Sequence, residues 1–372
     1  MRVYFLQQWY GQVDEALEDA LYDRQALHGK DARLAKIFHQ ATVTCMAENN
    51  GKPNYLVGVD LGGTKIRATV FSTSLEARGT AKVSTKPQRG ADAVIERVAR
   101  AVREAADEAD LTLKNIRGVG IGAPGTVNRE TGEVIFAPNL DWHDVPLKQQ
   151  LEKHLGVPVF VENDCNAAAL GVHVVELKSK PQHMLGIFVG TGIGGGLILN
   201  GELYGGFGHA AGEIGHMVVD IGGPKCGCGR KGCLEALASR GAIFRQILDA
   251  VQDGQKTVLT EMLGPDLKDM RSGDLRKALR RGDKLVEKIV QEAAFHLGVA
   301  TGSLANVLNP EVIVLGGGVM EALADEMLAV IVETAKDYAM PGAMNAVEII
   351  ASALGDEAAA TGGAVLAKRL LK

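Results

Sequence analysis

No stretch of this 372-residue sequence reaches the roughly 18 consecutive apolar residues of a membrane span, so no membrane partner is expected. A signal-peptide core is missing as well, because Gln7, Gln8 and Asp14 interrupt the first apolar residues. There is no basic tail or stripe. Lys and Arg total 40 against 45 Asp and Glu, a formal net charge of −5, which disfavours nucleic acid as a partner. A disulfide framework is lacking too: the five cysteines are an odd number, and three of them crowd into residues 226–233. That pattern fits a reduced, cytoplasmic setting and a metal site better than cross-links. Finally, no GxxxxGK[ST] run occurs, which excludes a P-loop nucleotide site.

What the sequence has in excess is glycine, 46 residues of it. Much is clustered: GVDLGGTK at 58–65, GVGIGAPG at 118–125, VGTGIGGG at 189–196 and LGGGV at 315–319. Glycine between apolar runs marks tight turns where backbone must approach something closely. Gly190, Gly192 and Gly195 satisfy GxGxxG, and Gly118, Gly120 and Ala123 its relaxed form. A dinucleotide fingerprint must open a helix after a strand. Here the first is followed by the strand pattern Leu197–Leu199 and the second runs into Pro124, so a Rossmann oxidoreductase is disfavoured. Hairpin turns whose N–H groups can cradle an anion remain, with hydroxyls from Thr64 and Thr191 and a charge from Lys65.

The length predicts two domains, and with 46% hydrophobic residues the chain can bury sizeable cores. Residues 1–53 read as an N-terminal extension: either a helical appendage with helices within Val13–Gln40, or a non-functional leader before Met46. From Tyr55 the pattern is βα-like. An apolar run to Val59 ends at Asp60, a glycine turn follows, and Ile66–Phe71 continues the strand. A helix is expected over Ala91–Asp110, strands at Ile116–Ile121 and Val157–Val161, and an alanine-rich helix from about Asn166. Met184–Val189, the turn 190–194 and Gly195–Leu199 repeat the opening device, which suggests a duplicated architecture with a cleft between halves. Residues 240–300 read as helical with a break near 264–273. The strand Val312–Leu315, the turn 316–318, a helix, a strand at Val347–Ala351 and a helix from Ala358 complete the chain.

Two side-chain groups suggest chemistry. His216, Cys226, Cys228 and Cys233 are spaced H-x9-C-x-C-x4-C with glycines between them, a closed tetrahedral donor set for structural Zn²⁺. Cys45 and Cys165 read as plain thiols. Asp164, in ENDCN between a strand and a helix, suits either a general base or a helix N-cap. Asn139, Asn163, Glu213 and Glu235 add carboxylates and amides of the kind that bind a polyhydroxylated ligand.

These motifs together resemble the ROK family of repressors, open reading frames and sugar kinases, over about residues 54–370. The resemblance rests on DLGGTK at 60–65, GAPG at 122–125, PNLDW at 138–142, ENDCNAAALG at 162–171, GTGIGGG at 190–196, GEIGH with CGCGRKGCLE, and NPEVIVLGGG at 309–318. It departs at Val172, where the family often has Glu, and in the extension. It implies an actin/hexokinase-like α/β fold, a duplicated ribonuclease-H-like unit. A small lobe of 54–165 plus 354–372 and a large lobe of 166–353 carrying the zinc loop would flank a cleft. By the same resemblance Asp164 is the catalytic base, and Asn139, Asn163, Asp164, Glu213, His216 and Glu235 hold a hexose. Asp60, Gly62, Gly63, Thr64, Lys65, Thr191, Gly192, Gly194, Gly195, Gly316 and Gly317 would hold ATP and Mg²⁺. The implied activity is transfer of phosphate to O6 of glucose by a homodimer or homotetramer. Kinases of N-acetylmannosamine, N-acetylglucosamine or fructose are alternatives, and a sugar-responsive repressor is a remote one.

Overall fold

The computed structural model describes residues 54–371. The helices expected within residues 13–40 and Cys45 lie outside the described residues. The glycine turn at 62–64 joins β1 (Tyr55–Leu61) to β2 (Lys65–Ser72), and β3 (Ala77–Ser84) extends the meander. The amphipathic run at 91–108 is α1 (Ala91–Glu108), whose Val94, Ile95, Val98 and Val102 are fully buried. Next come β4 (Ile116–Ala123), a small antiparallel sheet of β5 (Thr126–Asn128), β6 (Glu133–Ala137) and β7 (Trp142–Val145), then α2 (Leu147–Leu155) and β8 (Val159–Asn163). The small sheet had no clear signature in the sequence. Its strands are three to five residues long, too short for alternation to register.

After β8 the chain enters α3 (Asp164–Gly171), two residues earlier than the alanine-rich pattern suggested. The second half follows with β9 (Met184–Val189), β10 (Ile193–Leu199) and β11 (Glu202–Tyr204). A helical region holds α4 (Leu234–Ala238), α5 (Arg240–Gln252), α6 (Val258–Leu263), α7 (Ser272–Arg280) and the long α8 (Lys284–Leu308). The chain closes with β12 (Val312–Gly316), α9 (Gly317–Tyr338), α10 (Pro341–Met344), β13 (Glu348–Ala351) and α11 (Ala358–Leu370).

The two main sheets have the same topology. One runs β3-β2-β1-β4-β8 and the other β11-β10-β9-β12-β13. In each, three strands form an antiparallel meander and two more add in parallel to its first strand. This is the duplication expected of an actin/hexokinase-like fold. Each sheet packs one face on its own helices: α1 and α2 on the first, α5, α7, α8 and α9 on the second.

Glycine sets how closely α3 and α11 approach the sheets. A Cβ on Gly58 of β1 would lie 1.8 Å from the carbonyl oxygen of Ala360 in α11, and one on Gly120 of β4 would lie 1.8 Å from that of Gly363. On β10, a Cβ at Gly196 would lie 2.5 Å from Ala169 of α3. The two helices touch through Gly362, whose added Cβ would lie 1.6 Å from the Ala167 carbonyl oxygen. Such approaches are open only to residues without a Cβ. Among the described residues, no helix is long and apolar enough to cross a membrane.

Candidate functional site

The two glycine turns and the start of α3 converge. Asp60 pairs in register with Gly122 of β4, and a Cβ on Gly122 would lie 3.2 Å from the Asp164 Cα. From the other side, a Cβ on Gly194 would lie 2.4 Å from Cys165 Sγ. Asp164 therefore stands where glycines of both sheets close on the first turn of α3. Asp164 is not the helix cap. Asn163 is: its Oδ1 accepts from Cys165 N at 2.9 Å and Asn166 N at 3.1 Å, and its Nδ2 donates to Gly125 O at 3.0 Å. The Asp164 carboxylate accepts the Cys165 N–H at 2.8 Å, and the Cys165 thiol also hydrogen-bonds to it.

Electrostatics mark the same spot. Burial pushes the Asp60 carboxyl up to about 7; Asp164 and Asp356 push further in that direction, while Arg67 opposes. Asp164 is also raised, first by burial, with Glu213 adding and the Cys165 N–H opposing. Burial, then the adjacent Asp164, holds the Cys165 thiol well above its ordinary value, so it stays a neutral thiol. Three carboxylates at one point, two of them with raised pKa, make a site that calls for a cation or a proton.

The first turn is closed by Gly62 N donating to Lys65 O at 3.0 Å, and Thr85 fastens it from behind, its hydroxyl donating to Gly62 O at 2.6 Å. Thr64 and Lys65 face outward, and Asn139 lies beside Gly63, where an added Cβ would sit 3.4 Å from its own. In the second turn Gly190 N donates to Gly192 O at 2.9 Å, leaving Thr191 exposed. Gly317, with φ of +85°, abuts Val189 just before that turn, and Gly316 abuts Phe188. The glycines of the third cluster thus lie against the strand that leads into the second turn.

Glu213, His216 and Glu235 come from the segments around the cysteine loop. Residues 212–215 lie on the start of β10; a Cβ on Gly215 would meet the Ile193 carbonyl oxygen at 1.9 Å. That contact carries Glu213 to the side of Asp164. The donor atoms of His216, Cys226, Cys228 and Cys233 all lie within 4.8 Å of one another. Cys228 and Cys233 have sulfurs 3.7 Å apart, and His216 Nδ1 is 3.7 Å from Cys226 Sγ. A tetrahedron of ~2.3 Å Zn–S bonds has edges of about 3.8 Å, so the set fits Zn²⁺. Gly229 and Gly232, with φ of +89° and +73°, let the loop fold back on itself.

Some participants carry no signal in the sequence. Glu162, 1% exposed, accepts from Asn163 N at 2.9 Å and Asn166 Nδ2 at 3.0 Å, and pairs with Arg129 Nε at 2.5 Å. It thereby sets the start of α3. Arg67 of β2 pairs with Glu357 and, at 3.8 Å, with Asp356. The Glu235 carboxylate, expected only to face a ligand, also accepts from Ile193 N at 3.0 Å in the second turn.

The chain is similar to known proteins over the same region. Residues 56–370 match the model of the ROK family. A glucokinase of Halalkalibacterium halodurans is 36% identical over 317 residues, 85% of this chain and 95% of its own. A crystal structure of a ROK family glucokinase from Streptomyces griseus, in complex with glucose and AMPPNP, is similar with a TM-score of 0.77 and 32% identity. That match covers 85% of this chain and 99% of the other. A xylose repressor of Bacillus subtilis is also similar, 29% identical over 84% of this chain and 77% of its own.

Proposed function

This chain belongs to the ROK family, and from that premise we propose that it is an ATP-dependent hexose kinase whose substrate is glucose, phosphorylated at O6. The observation that carries the proposal is the position of Asp164. It opens α3 beside Gly122 of β4, with the next residue against Gly194 of β10, glycines of the two equivalent sheets, and it interacts electrostatically with Asp60 and Glu213. A structurally similar protein binds glucose and an ATP analogue together.

In this reading Asp164 accepts the proton of the sugar hydroxyl as the hydroxyl attacks the γ-phosphorus. The O–P bond to sugar forms, the bond to the β–γ bridging oxygen breaks, and ADP leaves. Such a transition state is loose, so positioning and charge neutralisation carry the catalysis. The turns at 62–65 and 190–195, with Lys65, Thr64 and Thr191, would hold the phosphates, and Gly316 and Gly317 the adenosine side. Mg²⁺ would supply the charge that offsets Asp60 and the phosphates. Asn139, Asn163, Glu213, His216 and Glu235 would bind the sugar hydroxyls. Zn²⁺, held by His216, Cys226, Cys228 and Cys233, would fix the loops that carry three of those residues and do no chemistry itself. We further assign residues 54–165 with 354–372 to one lobe and 166–353 to the other, closing on substrate in the cytoplasm to exclude water.

The test is ADP release in a coupled assay with glucose, mannose, fructose, N-acetylglucosamine and N-acetylmannosamine. The expected result is the highest kcat/KM with glucose. A higher value with an N-acetylhexosamine or fructose replaces the substrate. Turnover of none, with retained sugar binding, favours a sugar-responsive regulator such as the similar xylose repressor.

A further inference from the structure

The helix α5 begins directly against the second glycine turn. Arg240 N donates to Gly190 O at 2.9 Å and Gly241 N to Thr191 O at 3.3 Å, while Ser239 Oγ caps the helix by accepting from Ala242 N at 3.1 Å. These bonds fix the Arg240 main chain. Its guanidinium then reaches across the turn and donates to Thr191 Oγ1. Among the described residues no carboxylate pairs with it. Glu235 is the nearest acid in sequence, but one of its oxygens accepts from Ile193 N and the other lies 3.6 Å from Cys226 Sγ, on the side of the cysteine loop. A guanidinium has five N–H donors in a planar fork. Here one is used, and the residue is half-buried at the edge of a turn whose other side chain, Thr191, is exposed.

An uncommitted guanidinium held in this way is suited to an anion with several oxygens on one centre, which it can grip with two parallel bonds. The surroundings need such a cation. Asp60, Asp164 and Glu213 already crowd the site with negative charge, and a triphosphate brings more. Lys65 supplies a positive charge on the first turn; nothing in the sequence pointed to one on the second.

We propose that Arg240 is a phosphate-binding residue that grips the triphosphate tail of the nucleotide over Thr191. The proposal rests on the kinase reading for the identity of the anion. It differs from a bracing role for Arg240 in one respect: it makes nucleotide affinity depend on the number of phosphates.

The full-length parent, Arg240→Gln and Arg240→Lys are compared by calorimetry with ATP, ADP, AMP and inorganic tripolyphosphate, and by steady-state kinetics. For Arg240→Gln the expected result is a rise of about ten- to hundredfold in the Kd and KM of ATP, from loss of charged hydrogen bonds. AMP, which keeps the base and ribose but one phosphate, should weaken by less than about twofold. The hexose KM should hold, tripolyphosphate binding should vanish, and Arg240→Lys should fall between. Unchanged ATP affinity in Arg240→Gln overturns the proposal, as does an equal loss of ATP and AMP, which is what a brace would give. If Arg240→Gln does not fold, the ATP-to-AMP ratio in Arg240→Lys decides. A parent that turns over no hexose but binds tripolyphosphate through Arg240 keeps the anion site and removes the kinase reading. A parent that turns over hexose with no dependence on Arg240 does the reverse.

Discussion

Glu235 accepts the main-chain N–H of Ile193 across 3.0 Å, and its other oxygen lies 3.6 Å from Cys226 Sγ. One carboxylate thus touches both the glycine turn at 190–193 and the cysteine loop. Three donors of the loop and His216 gather within 4.8 Å of one another, so the order of the loop should be felt at the turn. Removing the metal with a chelator is therefore expected to raise the KM of ATP as well as that of the hexose, and to lower the melting temperature. Glu235→Ala should raise both KM values without altering metal content. A hydrogen bond to a charged group contributes ~1.5–3 kcal/mol, or about ten- to a hundredfold in kcat/KM. Metal content by mass spectrometry, read beside the two KM values, checks the prediction; a protein purified without metal and unaffected by chelation would remove zinc from the account.

Asp164→Asn keeps the shape of the side chain and the bond its Oδ1 accepts from Cys165 N, but removes the base. General-base catalysis contributes about 10²–10⁴-fold, so kcat should fall by that factor while the hexose KM changes little. Because burial raises the Asp164 pKa, the neutral variant should melt no lower than the parent at pH 8. Parent-level turnover in this variant would assign the proton transfer elsewhere.

The Asp60 carboxyl moves from 3.8 to about 7 on folding, through burial first and then Asp164. A raised carboxyl pKa favours the folded state while the group is protonated. That contribution is fully present below pH 3.8 and is lost as the pH rises through about 7. The ligand-free protein should accordingly lose melting temperature across that window, and Asp60→Asn should flatten the loss and melt higher than the parent above pH 7. Activity should run the other way. An ionised Asp60 suits Mg²⁺, so kcat/KM should fall as the pH drops below about 7. Melting curves and pH–rate profiles of the two proteins test both signs.

Much of this site was legible in the sequence because its parts are local. The turns at 62–64 and 190–192 are runs of glycine between apolar strands, and the cysteine loop packs three of its four donors into eight residues. Duplication was readable for the same reason, since the device at 55–71 recurs at 184–199. What escaped notice are partners far apart in the chain. Glu162 with Arg129, Thr191 with Arg240 and Ile193 with Glu235 are joined across 33, 49 and 42 residues, and no periodicity records such pairings. Asn163 and Asp164 are both good caps, so the sequence leaves the cap of α3 open. Only the backbone shows that Asn163 takes that role, which relieves the Asp164 carboxylate of capping. The sheet of β5, β6 and β7 was hidden by its brevity.

The closeness of α3 and α11 yields a prediction about stability that reaches the active site. A Cβ on Gly362 would lie 1.6 Å from the Ala167 carbonyl oxygen, inside α3 and three residues after Asp164. A backbone oxygen cannot step aside as a flexible side chain can, so Gly362→Ala must push the helices apart. Overpacking of this kind costs about 1–3 kcal/mol or more. Gly273, half-buried in the first turn of α7, has nothing within 4 Å of an added Cβ. Gly273→Ala should be neutral or stabilise by ~0.5–1 kcal/mol through helix propensity. The first variant should lose several degrees of melting temperature and, in the fraction that folds, kcat as well, because displacement of α3 carries Asp164 with it. The second should keep both. If Gly362→Ala lowered the melting temperature yet left kcat untouched, α3 would hold Asp164 independently of α11, and the glycine contact would serve stability alone.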